Sequence, residues 1–195
     1  MPLYHAVAAL SWPGARLLFR FRAFGTHDLP VRGGYVLAAG HHSNLDPWPL
    51  GLPLWPRRGL RFMAKSELFW FPLSLVLSAA GAFRVRRGRS DVEALATAVR
   101  LARAGNVIAM FPEGTRRQKG LRKRFEAQAH TGAARIALDA GVPLVPAGIR
   151  GTDGLRRLEA WRVRYGAPID LSDDPSPQVA TERLMAAIHE LEASL

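Results

Sequence analysis

Residues 33–41 read Gly33-Gly34-Tyr35-Val36-Leu37-Ala38-Ala39-Gly40-His41. Five consecutive apolar residues bounded by glycines make too short a run for an ordinary helix and fit a buried strand. The run leads without a spacer into His42-Ser43-Asn44-Leu45-Asp46-Pro47. A predicted strand therefore delivers two histidines and an aspartate to a single turn.

Outward from this strand, strand and helix signals alternate. Ser90 and Glu93 form a capping-box pattern ahead of Val92, Leu95, Val99 and Ala102, and Gly105 supplies a helix stop. Residues 106–111 read as an apolar strand ended by Pro112. Residues 132–140 read as a small helix stopped by Gly141. In the apolar run 142–149 that follows, Pro143 and Pro146 predict an edge or irregular strand. Ser176 and Pro177 suit the N-cap and first position of an amphipathic helix that runs to the C-terminus. This alternation predicts an α/β fold, a layered domain with a largely parallel or mixed central sheet flanked by helices. In such sheets active sites gather at the C-terminal ends of strands.

The first 24 residues read differently, as two short helical pieces separated by Pro13-Gly14. In the second piece Leu17, Leu18, Phe21 and Phe24 share a broad arc, with Arg16, Arg20 and Arg22 outside it. Arginine beside bulky apolar residues is the composition of a helix lying on anionic lipid; the same pattern also suits a helix packed on its own domain. The expected organisation is an N-terminal amphipathic helical membrane-binding segment, residues 1–24, ahead of one domain, residues 25–195. Residues 68–83 are almost free of polar groups, but they fall short of the roughly 20 needed to cross a bilayer and contain Pro72. They fit a buried helix or one at the membrane interface. No secretory signal pattern is recognised.

With 195 residues, 48% of them hydrophobic, the chain can bury the core of one domain. It has no cysteine, which excludes disulfides, thiolate nucleophiles and Cys-ligated metals. Twenty-seven Lys and Arg against sixteen Asp and Glu give a net charge of +11. Such an excess suits nucleic acid, an anionic membrane, phosphorylated substrates or a merely solvated basic surface. Nucleic acid is the poorest of these fits, because no known motif is present and the aromatics are not interleaved with the basic clusters. The histidines lack the neighbours of a metal site, so no metal is expected. No other cofactor is expected either.

Two strand ends carry unusual polar residues. In the first, His41 and Asp46 stand five apart and meet only across a turn. An alcohol is a poor nucleophile until a base takes its proton, and imidazole oriented by a carboxylate is suited to that task. The same residues also fit a plain arrangement, with Asp46 as N-cap, Pro47 as first helical residue and His41 a loop histidine. The second strand ends in Phe111-Pro112-Glu113-Gly114-Thr115-Arg116. Backbone amides there, with Thr115 and Arg116, could hold an anion, and Glu113 would fix an arginine or a substrate hydroxyl. A basic polar turn is the alternative. Between the two ends, residues 81–87 alternate apolar and basic side chains.

Taken in order, these stretches resemble the 1-acylglycerol-3-phosphate acyltransferase family of glycerolipid acyltransferases. The resemblance covers residues 25–152 in four motifs: His41-x4-Asp46; a strand ending in arginine at residues 81–87; Phe-Pro-Glu-Gly-Thr-Arg at residues 111–116; and Val142, Pro143, Pro146 and Ile149. It implies that His41 is the general base, Asp46 its orienter, and Arg87 a contact to the acceptor phosphate. Glu113, Gly114, Thr115 and Arg116 would bind the acceptor and shape the site. It assigns His42 no role. The sequence departs from the family at Gly40, where Asn is common, at Arg86, and at His130.

The implied reaction moves an acyl group from acyl-CoA or acyl carrier protein to the free hydroxyl of a lysophospholipid, giving phosphatidic acid if the acceptor is lysophosphatidic acid. Two other readings stay open: the same chemistry on glycerol 3-phosphate or another lysolipid, and an inactive membrane-binding module. With no Gly-x-Ser-x-Gly elbow and no cysteine, a covalent acyl-enzyme is disfavoured. Many relatives carry N-terminal membrane spans; here the expectation is a peripheral or monotopic protein on the cytoplasmic face of the membrane.

Overall fold

The computed structural model describes residues 2–85, 91–113 and 130–195. The run that begins at Tyr35 is indeed a strand, Tyr35–Ala39, buried at every residue. In chain order the elements are helix α1 (Pro2–Leu18), strands β1 (Arg22–Phe24) and β2 (Tyr35–Ala39), short helix α2 (Pro47–Gly51), β3 (Leu60–Lys65), α3 (Leu73–Ala79), β4 (Ala82–Val85), α4 (Asp91–Arg103), β5 (Val107–Met110), α5 (Gly132–Ala140), β6 (Leu144–Arg150), β7 (Arg162–Tyr165) and α6 (Pro177–Ala193). Among the described residues the strands form one sheet in the order β1-β7-β6-β2-β5-β3-β4. Strands β6, β2, β5, β3 and β4 run parallel, while β7 is antiparallel to β6 and carries β1 parallel to itself. The sheet is therefore mixed and mostly parallel.

Alternate residues of each central strand face opposite ways, and each face has its own core. Tyr35, Leu37, Ala39, Val107, Ala109 and Val145 pack beneath α1 and α2. Val36, Ala38, Ile108 and Leu144 pack beneath α4, α5 and α6. The helix ends follow their local chemistry. The Ser176 hydroxyl accepts from the Val179 amide at the start of α6, and Gly141, at φ 64°, closes α5 in the left-handed conformation that glycine adopts without strain. The capping pattern at Ser90 lies outside the described residues.

Three expectations are corrected. Residues 2–18 form one continuous helix through Pro13 rather than two pieces. Tyr4, Ala8 and Ala15 recur on one stripe and are buried, so packing on the sheet outweighs the hydrogen bond that Pro13 removes. Phe21 is a core residue, and residues 22–24 form strand β1, so neither continues the predicted helix. Finally, β6 is an interior strand, bonded to β2 on one side and β7 on the other. Pro146 is tolerated because it sits where the β7 ladder ends: its carbonyl accepts from Gly166 N at 3.0 Å, and only the reciprocal bond is lost.

The apolar stretch 68–83 is buried only at its end, at Gly81 and Ala82. Trp70, Phe71, Leu75 and Val76 are exposed, and α3 packs beside α1. Among the described residues no helix is long and apolar enough to cross a membrane.

Candidate active site

Because β2, β5 and β6 run parallel, their C-terminal ends share one edge of the sheet. From β2 the chain turns through Gly40 to His41. From β5 it passes through Phe111 to Glu113. From β6 it passes through Gly151 to Thr152.

The turn after β2 brings His41 and Asp46 together. Asp46 sits at the N-cap of α2 with Pro47 next, as its position suggests, but its side chain makes no capping bond. The carboxylate is fully buried and points back into the turn. Oδ2 accepts from His41 Nδ1 at 2.8 Å and from the backbone N–H groups of His42 and Ser43, also at 2.8 Å. Oδ1 accepts from Thr152 Oγ1 at 2.6 Å. A buried carboxylate needs such partners, and four donors supply them. Since a carboxylate only accepts, the proton between it and the imidazole belongs to Nδ1. Nε2 is thereby left as the basic nitrogen, on the side of the ring away from Asp46. The His41 side chain is about one-fifth exposed, at 19%, whereas the Asp46 side chain is fully buried.

The second predicted strand end joins the first. The Phe111 ring stacks on the His41 ring with centroids 4.5 Å apart and planes at 25°, so the imidazole is fixed by a hydrogen bond at its edge and a ring against its face. Glu113, two residues on, is buried. Arg87, Gly114, Thr115 and Arg116 lie outside the described residues.

Thr152 was not anticipated. It is buried to 1% exposure and stands 106 positions from its partner Asp46. Its signal was available, because Gly151-Thr152 directly follows a third parallel strand, at the edge where function gathers. The described residues hold no group of three or more His, Asp or Glu able to bind a metal ion.

A model of the family described as Acyltransferase matches residues 20–150, well over half of the chain. The chain belongs to the acyltransferase family. Within that family, it is 29% identical over 186 residues to 1-acyl-sn-glycerol-3-phosphate acyltransferase of Bacillus subtilis, covering 89% of each protein. It is 31% identical over 125 residues to 1-acyl-sn-glycerol-3-phosphate acyltransferase of Limnanthes douglasii, covering 62% of this chain and 42% of the plant protein. The crystal structure of the 1-acyl-sn-glycerophosphate acyltransferase PlsC from Thermotoga maritima has the same fold, with a TM-score of 0.70, 24% identity, and coverage of 97% of this chain and 80% of that one. This acyltransferase thus shares its sheet and flanking helices with a solved relative.

Proposed function

We propose that this enzyme acylates the free hydroxyl of 1-acylglycerol 3-phosphate to give phosphatidic acid, with His41 as general base and Asp46 as its orienter. One observation carries the reading: Nδ1 of His41 donates to a buried carboxylate, which leaves Nε2 as a proton acceptor at the strand-end edge. The names of the Bacillus and plant relatives support the choice of acceptor.

In this mechanism Nε2 takes the hydroxyl proton as the acceptor oxygen attacks the thioester carbonyl. The new C–O bond forms, the C–S bond breaks, and the imidazolium returns its proton to the departing thiolate. Asp46 stabilises the imidazolium in between. The donor is acyl-CoA or acyl carrier protein, both acidic and both suited to a chain of charge +11. Arg87 and Arg116 would hold the acceptor phosphate, with Glu113, Gly114 and Thr115 shaping the pocket.

Both substrates of such a reaction are amphiphiles, and the enzyme is proposed to work as a peripheral protein on the anionic face of a membrane. Two helices support this. On α1, Val7, Leu10 and Leu17 recur along one exposed stripe. Beside it, α3 and its lead-in expose Trp70, Phe71, Leu75 and Val76. Exposed apolar residues in this number mark an interaction surface.

The test is acyl transfer by wild type and His41→Ala, in detergent and on anionic vesicles, with lysophosphatidic acid or glycerol 3-phosphate and either donor. Transfer to lysophosphatidic acid that falls by about 10³-fold in the variant, with folding intact, is the expected result. Transfer that survives in His41→Ala would sink the general-base role, and turnover of glycerol 3-phosphate alone would change the acceptor.

A further inference from the structure

We infer that Glu192, in the last turn of α6, holds the His41–Asp46 pair in register by gripping His42; the inference rests on the general-base reading above. His42 Nε2 donates to Glu192 Oε1 at 2.9 Å across 150 positions of chain. Both side chains are mostly shielded, at 19% and 12% exposure, so solvent screens the pair far less than it would a surface ion pair. The backbone N–H of the same histidine donates to Asp46 Oδ2. One residue is therefore tied to α6 by its ring while its amide is aimed at the carboxylate that orients the catalytic base.

Two glycines make room for this contact. A Cβ on Gly40 would lie 2.0 Å from Glu192 Oε1 and 3.2 Å from His42 Nε2. A Cβ on Gly148 of β6 would lie 2.8 Å from the backbone N of Glu192. The missing side chain at position 40 is thus the space the carboxylate fills, and the bare backbone at position 148 lets the helix end lie against the sheet. Upstream, Ala180, Leu184 and Ile188 of α6 are fully buried. The grip on the turn is accordingly anchored in the core and not in another loop. Rigid placement of the base governs the chemical step, whereas acceptor binding uses other residues. Glu192 and His42 are positioning residues, and their loss should appear in kcat with KM nearly unchanged.

The experiment is steady-state acyl transfer, with the donor and acceptor that support wild-type turnover, by Glu192→Ala, His42→Ala, Gly40→Ala, Glu192→Gln and the double variant His42→Ala/Glu192→Ala. We expect the three single substitutions to alanine to lower kcat about tenfold with KM within about twofold, and the double variant to be no worse than either of its singles. Glu192→Gln keeps an accepting oxygen and should restore most of the rate. Gly40→Ala leaves both partners in place and only displaces the carboxylate, so it decides the matter even if Glu192→Ala fails to fold. Values of kcat close to wild type in Gly40→Ala and His42→Ala, additive losses in the double variant, or a Gln variant as slow as the Ala variant would overturn the inference. His41→Ala assayed alongside separates the two readings. If it retains transfer, the general-base assignment fails; if it is inactive while Glu192→Ala is unimpaired, only the positioning role fails.

Discussion

Thr152 Oγ1 donates to Asp46 Oδ1 at 2.6 Å, joining the end of β6 to the turn after β2. Asp46 Oδ2 already has three donors, so Thr152 supplies the bond that fixes the other oxygen and with it the rotation of the carboxylate. Thr152→Val keeps the shape and removes the donor. Hydrogen bonds to charged groups are worth about 1.5–3 kcal/mol, so we expect the unfolding free energy to drop by about that amount, kcat to fall roughly tenfold, and Thr152→Ser to recover most of both. Kinetics and urea unfolding of the two variants check this.

Asp46→Asn changes little in volume but puts an NH2 group among four donors. One donor must lose its acceptor inside a buried site, or the His41 ring must turn. We expect a loss of about 10²–10⁴ in kcat and a lower unfolding midpoint. Rates above a tenth of wild type in a folded Asp46→Asn would show that the carboxylate does not orient the base.

Leu10 and Leu17 are about four-fifths exposed, at 82% and 80%. Truncation of the first 24 residues is a poor test of membrane binding, since it removes the buried Tyr4, Ala15 and Phe21 and strand β1 as well. Leu10→Glu/Leu17→Glu leaves the core alone. Burying a leucine contributes about 1.5–3 kcal/mol, so the double substitution should weaken co-sedimentation with anionic vesicles by at least roughly 100-fold. Equal partitioning of variant and wild type would move the docking face elsewhere.

Beneath α1, burial pushes the Tyr35 hydroxyl up to about 12, partly offset by the nearby Arg58 guanidinium, and burial likewise raises Tyr4 and Tyr165. For an acid whose folded pKa is raised, stability is full below the unfolded value near 10 and is lost as pH climbs towards the folded value. For Tyr35 the loss amounts to roughly 3 kcal/mol once pH passes 12. We expect urea stability to fall between about pH 10 and 12, and to fall less steeply in Tyr35→Phe; parallel curves for the two proteins would contradict this assignment.

Much of the site was legible because its signals are local. The β2 run is apolar at five consecutive positions, and its polar sequel names His41 and Asp46 directly. The helices α5 and α6 announce themselves through Gly141 and Ser176-Pro177. What escaped depends on partners far along the chain. The three residues of β1 become a strand only against Arg162–Arg164, and locally Phe21 and Phe24 fit a helical arc just as well. Pro146 suggested an edge because the sequence does not reveal that the ladder it would interrupt has already ended. Thr152 and Glu192 carry no motif of their own, and the first becomes visible only when the strand-end rule is applied a third time.

The 106 positions between Asp46 and Thr152, and the 150 between His42 and Glu192, bear on how the enzyme matures. A chain folded only through β5 would already own its base and carboxylate, yet the braces from Thr152 and Glu192 would be missing until the last third of the polypeptide docks. Full turnover is then a reporter of finished assembly: during refolding it should lag behind the return of helical signal, and chains in which β6 or α6 has not docked should acylate slowly.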